Sequence, residues 1–184
     1  VNRVWEMWGG VLVAWALAIP VLTAAVYTGV RWRIGRGTPR ETAVRHTVAE
    51  AGILGGTLPW IWMILTPVNG VREISWVPLR DLVATLTDSA SAAVVQVGAN
   101  LILFVPLGFL LPLRFPRFAG AARMFAVGAL ISATLEIAQY ALDIGRVSSV
   151  DDVLMNATGA AVGAALAGMR GPASNRTDQP VPIA

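Results

Sequence analysis

Apolar positions along this chain gather into five long runs, at about residues 7–30, 48–66, 94–113, 124–142 and 152–169. Each is close to the ~20 residues that a helix needs to cross the hydrocarbon core of a bilayer. Neither strand alternation nor a narrow amphipathic stripe dominates them, so the pattern predicts an all-α, polytopic membrane protein with about five transmembrane helices. The second connector after the first run differs. In residues 67–92, Ile74, Val77, Leu82, Val83 and Leu86 alternate with Arg80, Asp81 and Thr85, as expected of a short helix lying on the membrane surface. Three regions follow. Residues 1–73 form an N-terminal two-helix membrane region with a basic loop. Residues 74–170 form a three-helix membrane domain with the amphipathic segment attached. Residues 171–184, rich in Pro, Ser, Asn and Asp, read as a disordered tail.

Tryptophans sharpen the first two spans. Trp5, Trp8 and Trp15 stand near the start of the first run, Trp32 after its end, and Trp60 and Trp62 near the end of the second. Flanking tryptophans are interface anchors. Pro20 is expected to kink the first helix. No small-residue cleavage site precedes a soluble region, so no cleavable signal peptide is expected.

Composition agrees with the pattern: 55% of residues are hydrophobic and 14% charged, against roughly a quarter charged in an average soluble domain. Lysine is absent, so arginine carries the positive charge. A pI near 10.5 can point to nucleic acid, but here the arginines sit between spans, where they set topology, and no nucleic-acid partner is expected. Of fourteen arginines, five lie in 31–47, three in 114–123 and two from residue 170 onward, whereas Arg3, Arg72, Arg80 and Arg146 lie on the other side of a five-span chain. The positive-inside rule then places the N-terminus outside and the C-terminus in the cytoplasm. With no cysteine and one histidine, His46, thiolate sites, disulfides and histidine-rich metal sites are excluded.

Polar side chains inside spans are costly and raise a functional hypothesis by default. Glu136, Gln139, Tyr140 and Asp143 follow i, i+3, i+4, i+7 spacing, and Asp152, Asn156, Gly159 and Gly163 follow i, i+4, i+7, i+11. Each set shares one helix face. With Asn100 in the third span, Arg146 in the last connector and Asp151 beside it, these groups fall in the outer half of the bundle. The candidate site is therefore Asn100, Glu136, Gln139, Arg146, Asp151, Asp152 and Asn156. Structural roles compete for every member. Glu136 and Arg146 could brace two helices. Ser149-Val150-Asp151-Asp152 fits a capping box. The asparagines could be interhelical glue, and the glycines a close-packing face. Glu50, nearer the arginine-rich side, is left outside the site. Acid/base chemistry by Glu136 with Asp151 or Asp152, or oxygen ligation of a divalent cation, needs no further residues, but neither pattern is specific. No metal or other cofactor is expected.

Three segments together resemble the VanZ-like family of bacterial membrane proteins. They are Asn100-Leu-Ile-Leu-Phe104-Val-Pro106-Leu-Gly108, Glu136-Ile-Ala-Gln139, and Arg146-Val-Ser-Ser-Val-Asp151-Asp152-Val-Leu-Met-Asn156-Ala-Thr-Gly159; Trp76-Val-Pro78-Leu is similar to the segment that precedes them. The likeness covers roughly residues 74–168. One departure is that Ser148 and Ser149 stand where the family often has an acidic residue after the arginine, which counts against a multi-carboxylate metal site. The resemblance implies a multi-pass protein of the bacterial plasma membrane, linked to resistance to teicoplanin-type glycopeptides. The expected outward clustering of Glu136, Arg146 and Asn156 suggests membrane lipids, a lipid-linked cell-wall precursor or a lipidated glycopeptide as partners. A non-enzymatic envelope role is preferred. The alternatives are an enzyme acting on a lipid or wall precursor, with Glu136 as acid/base, and a small lipid or proton transporter.

Overall fold

The computed structural model describes residues 2–169, without the side chains of residues 2–8, 11 and 12. The Trp5 and Trp8 anchors and the disordered tail expected above lie outside what is described. Five long helices dominate: α1 (Asn2–Gly35), α2 (Arg40–Leu65), α4 (Ala90–Arg114), α5 (Ala121–Ala141) and α6 (Val150–Met169). All five are long and apolar enough to cross a membrane, α1 over Val13–Gly35. The amphipathic segment forms the short helix α3 (Arg80–Asp88). The chain is an all-α membrane protein, as its hydropathy pattern predicts.

Helix ends extend past the apolar runs. Helix α2 begins eight residues before the second run and takes in Arg40, Arg45 and His46. Hydropathy marks only the part in hydrocarbon, whereas backbone hydrogen bonding continues into the headgroup layer and long arginines reach outward. The turn after α1 has a local cause. Gly37 adopts φ +87°, its N–H bonds to Ile34 O at 2.9 Å, and the Thr38 N–H bonds to Arg33 O at 3.0 Å. This pair of bonds closes a helix around a left-handed residue, which favours glycine. The helices run unbroken through Pro20, Pro59, Pro106 and Pro112.

The tightest crossing joins α4 to α6. A Cβ on Gly159 would run into the Leu101 carbonyl, one on Gly163 into backbone atoms of Val105 and Phe109, and one on Gly108 into the Ala160 backbone. Small residues let two backbones approach where lipid supplies no hydrophobic drive between helices. Helix α5 joins the same stack: a Cβ on Gly128 would lie 3.1 Å from Ala157 Cα. Phe104, Leu107, Met124, Ala160 and Ala164 form the buried cluster at this junction. Helix α1 packs chiefly on α2. Leu17, Val21, Ile102, Leu130 and Ile137 are each more than half exposed, as a lipid-facing surface requires.

One element has no counterpart in the sequence pattern. Strand β1 (Glu73–Ser75) pairs in parallel with β2 (Val147–Ser149), Ile74 opposite Ser148. Three residues are too few to show alternation. The pairing exists because parallel helices α4 and α6 bring their preceding connectors to the same end of the bundle.

Candidate functional site

That end carries most of the candidate residues, and the hydrogen bonds sort them into separate jobs. Two connectors must first be joined. Val68 N–H donates to Ile144 O at 2.9 Å, and Gly70 and Gly145 abut so closely that neither has room for a side chain. Gly145 also sits at φ +71°, so it is doubly restricted to glycine.

Arg146 does not pair with Glu136. Its Nη2 donates to Met63 O at 3.2 Å, and its Nε more loosely to Thr66 O at 3.5 Å. Gln139 Nε2 donates to the neighbouring Ile64 O at 3.0 Å. The last carbonyls of a helix lack intrahelical partners, and a cation suits that end of the dipole. Arg146 and Gln139 thus clamp the C-terminus of α2 to the α5–α6 hairpin.

Asp151 performs the complementary task on α3. Only 2% exposed, its carboxylate accepts from the backbone N–H groups of Leu79, Asp81 (3.1 Å) and Leu82 (3.1 Å). Leu79, the residue before α3, has φ +65° and supplies no side-chain cap, so the cap comes from α6 instead. Ser149 completes the link. Its Oγ donates to Asp81 Oδ2 at 2.5 Å and accepts from Asp151 N–H at 3.2 Å. This is only half of the expected capping box, because the third-position carboxylate, Asp152, turns away to accept from Asn100 Nδ2 at 2.6 Å. Asn156 lies deeper and donates to Ser132 Oγ at 2.8 Å. The amide–carboxylate and amide–hydroxyl pairs hold α6 to α4 and α5 respectively.

Glu136 differs from all of these. Its Oε2 accepts the Ser149 N–H at 3.0 Å, and Ser148 Oγ donates to its carbonyl at 2.9 Å. These bonds tie β2 to α5, yet the side chain also lines an open cleft of about 320 Å³. Ile74, Trp76, Ala133, Ile137, Tyr140, Val150 and Val153 supply the apolar walls, with Ser148 and Ser149 beside the carboxylate. Arg72 stacks over the Tyr140 ring at 4.0 Å, placing a cation beside one of the wall residues. Asp143, which i+7 spacing put on the same face, falls beyond the end of α5 at φ +50°.

Of the seven predicted residues, Asp151 reaches Glu136 through Ser149, Asp152 pairs with Asn100 yet lies near enough for its charge to act on Glu136, Asn156 is separate, and Gln139 and Arg146 bond to α2. Asp81, Ser148 and Ser149 are the additions. Ser149 is visible in the sequence as the first residue of the capping-box pattern, and Asp81 as a polar position of the amphipathic segment. No sequence signal shows that they meet, because the meeting depends on a strand pair invisible to periodicity. Among the described residues, no cluster of three or more His, Asp or Glu side chains could hold a metal ion.

A family model described as VanZ/LLP1 matches residues 46–170. The match runs from within α2 to the end of α6, extending the likeness seen from residue 74 back into the helix that Arg146 and Gln139 clamp. No curated protein matches the chain. No solved structure matches it either.

Proposed function

The chain belongs to the VanZ/LLP1 family, and on that premise we propose that it is a bacterial envelope protein that holds membrane amphiphiles at the outer leaflet. The observation that carries this reading is the cleft with apolar walls and a single carboxylate, Glu136, among its lining residues. Ligand sites are mostly apolar with a few placed polar groups. A lipid chain would lie against Ala133, Ile137 and Val153, toward the membrane interior, while Glu136 would accept a hydrogen bond from the head of the same molecule. The arginine distribution supports the outward orientation, since the positive-inside rule assigns the opposite, arginine-rich end to the cytoplasm. Candidate occupants are a membrane lipid, a lipid-linked cell-wall precursor and a lipid-tailed glycopeptide. Holding any of them would change its availability at the cell surface, and for the last two would alter glycopeptide sensitivity.

Expression in a susceptible bacterium tests the resistance form of the proposal. Wild type is expected to raise the inhibitory concentration of a teicoplanin-type drug more than that of a glycopeptide without a lipid tail. Glu136→Gln is expected to lose that difference. If wild type and variant both match the empty vector, the resistance role is wrong. If protection is equal for tailed and untailed drugs, the lipid cleft is not its basis.

A further inference from the structure

The opposite end of the bundle holds a second cleft with different chemistry. Between α1 and α2 an open groove of about 280 Å³ is walled by Leu22, Val26 and Leu54 and ends on Arg33, Thr47 and Glu50. Arg33 Nη1 donates to Thr47 Oγ1 at 2.6 Å, and its Nη2 reaches both carboxylate oxygens of Glu50, at 2.9 and 2.7 Å. Arg114 of α4 donates to the same carboxylate through Nε. Two guanidinium groups thus share one carboxylate and leave a positive charge. A guanidinium has five N–H donors. Arg114 bonds to Glu50 through Nε, and its guanidinium stacks on the Phe115 ring at 4.4 Å. The surrounding charge has the same sign. Segments 31–50 and 114–123 carry eight arginines against Glu41 and Glu50, and Arg36 stacks on Trp32, another groove residue, at 4.2 Å.

We propose that the α1–α2 groove binds an anionic glycerophospholipid, its phosphate on Arg33 and Arg114 and part of an acyl chain along Leu22, Val26 and Leu54. Basic pockets between membrane helices suit anionic headgroups, each arginine in contact with the headgroup adding roughly five-fold in binding. A second copy of the chain does not fit the same groove, because copies inserted in one orientation would bring arginine-rich ends together. This site shares no side chain with the Glu136 cleft and stands or falls independently of it.

The test uses the purified full chain in micelles doped with equal amounts of phosphatidylglycerol and phosphatidylcholine, with bound lipid read by native mass spectrometry. Wild type is expected to retain phosphatidylglycerol at least about five-fold over phosphatidylcholine. Arg33→Gln should reduce that retention about five-fold. Ala25→Trp, which fills the groove from an exposed position, should reduce it comparably without disturbing the core. Arg45→Gln removes the same charge outside the groove and should change retention by less than about two-fold. Excess inorganic phosphate should leave the bound lipid in place. Equal retention of the two lipids by wild type overturns the proposal. So does loss in Arg33→Gln without loss in Ala25→Trp, equal loss in Arg45→Gln, or full displacement by free phosphate.

Discussion

The two ends of this bundle put several of their charged and amide side chains to different uses. At the strand-bearing end, Arg146, Gln139 and Asp151 direct their hydrogen bonds to backbone groups: the last carbonyls of α2 and the first N–H groups of α3. At the arginine-rich end, Arg33, Glu50 and Arg114 bond to other side chains. The difference follows from chain geometry. The strand-bearing end must bury two helix ends and two irregular connectors, and buried backbone groups without partners are costly. The other end closes α1 with its own glycine turn, leaving side chains free to bind one another. Polarity within a membrane domain therefore does not identify a site by itself. Whether a polar group serves the backbone or faces a cleft decides it.

Asp151 is the strongest case for the scaffold role. Asp151→Ala would leave three N–H groups at the start of α3 without an acceptor, at a cost of about 3 kcal/mol or more. The expected result is a large loss of thermal stability in detergent and rapid proteolysis within residues 79–88. Asp151→Asn keeps one acceptor oxygen and should cost less. If Asp151→Ala unfolds at the wild-type temperature, backbone capping is not what holds this end together.

Packing comes next. Gly163→Leu would push α6 away from Val105 and Phe109 of α4, and overpacking of a tight core costs about 1–3 kcal/mol. The same substitution at Gly98, where a Cβ meets nothing within 4 Å, should change stability far less. Comparable melting shifts for the two variants would mean that α4 and α6 do not depend on this close approach.

The ion triad should matter less. Glu50 has a third of its side chain exposed, and partly solvated ion pairs are weak and screened by salt. Glu50→Gln is expected to cost about 1 kcal/mol at low ionic strength and to approach neutrality as salt rises. A loss as large as that of Asp151→Ala, or one insensitive to salt, would erase the contrast between the two ends.

How far this organisation is legible in the sequence depends on the range of each interaction. The spans are readable because about twenty apolar residues in a row match the thickness of a bilayer and are rare in water-soluble folds. Arg146 and Asp151 are visible as charges that need partners, but the partners are not. Helix-end carbonyls and N–H groups have no signature in composition, so the acid inside the adjoining span, Glu136, looks like the natural match for Arg146. Glu50 carries the same signal as Glu136, one acid in an apolar run, and its partners are arginines 17 and 64 residues away. The strand pair is unreadable, since three-residue strands carry no period and their register is imposed by α4 and α6.

Glu136 is where the two uses of polarity meet, and it gives the smallest expected effect on stability and the most informative one on function. Its carboxylate accepts one backbone N–H, from Ser149, and a glutamine carbonyl can accept the same bond. Glu136→Gln should therefore change stability by no more than about 1 kcal/mol while removing the one carboxylate that lines the cleft. Glu136→Ala loses both features, so comparing the two separates them. If glutamine preserves the melting temperature and abolishes the effect on lipid-tailed glycopeptide sensitivity, the carboxylate serves a ligand. If glutamine preserves both, Glu136 belongs with Asp151 as a backbone clamp, and the strand-bearing end is scaffold throughout.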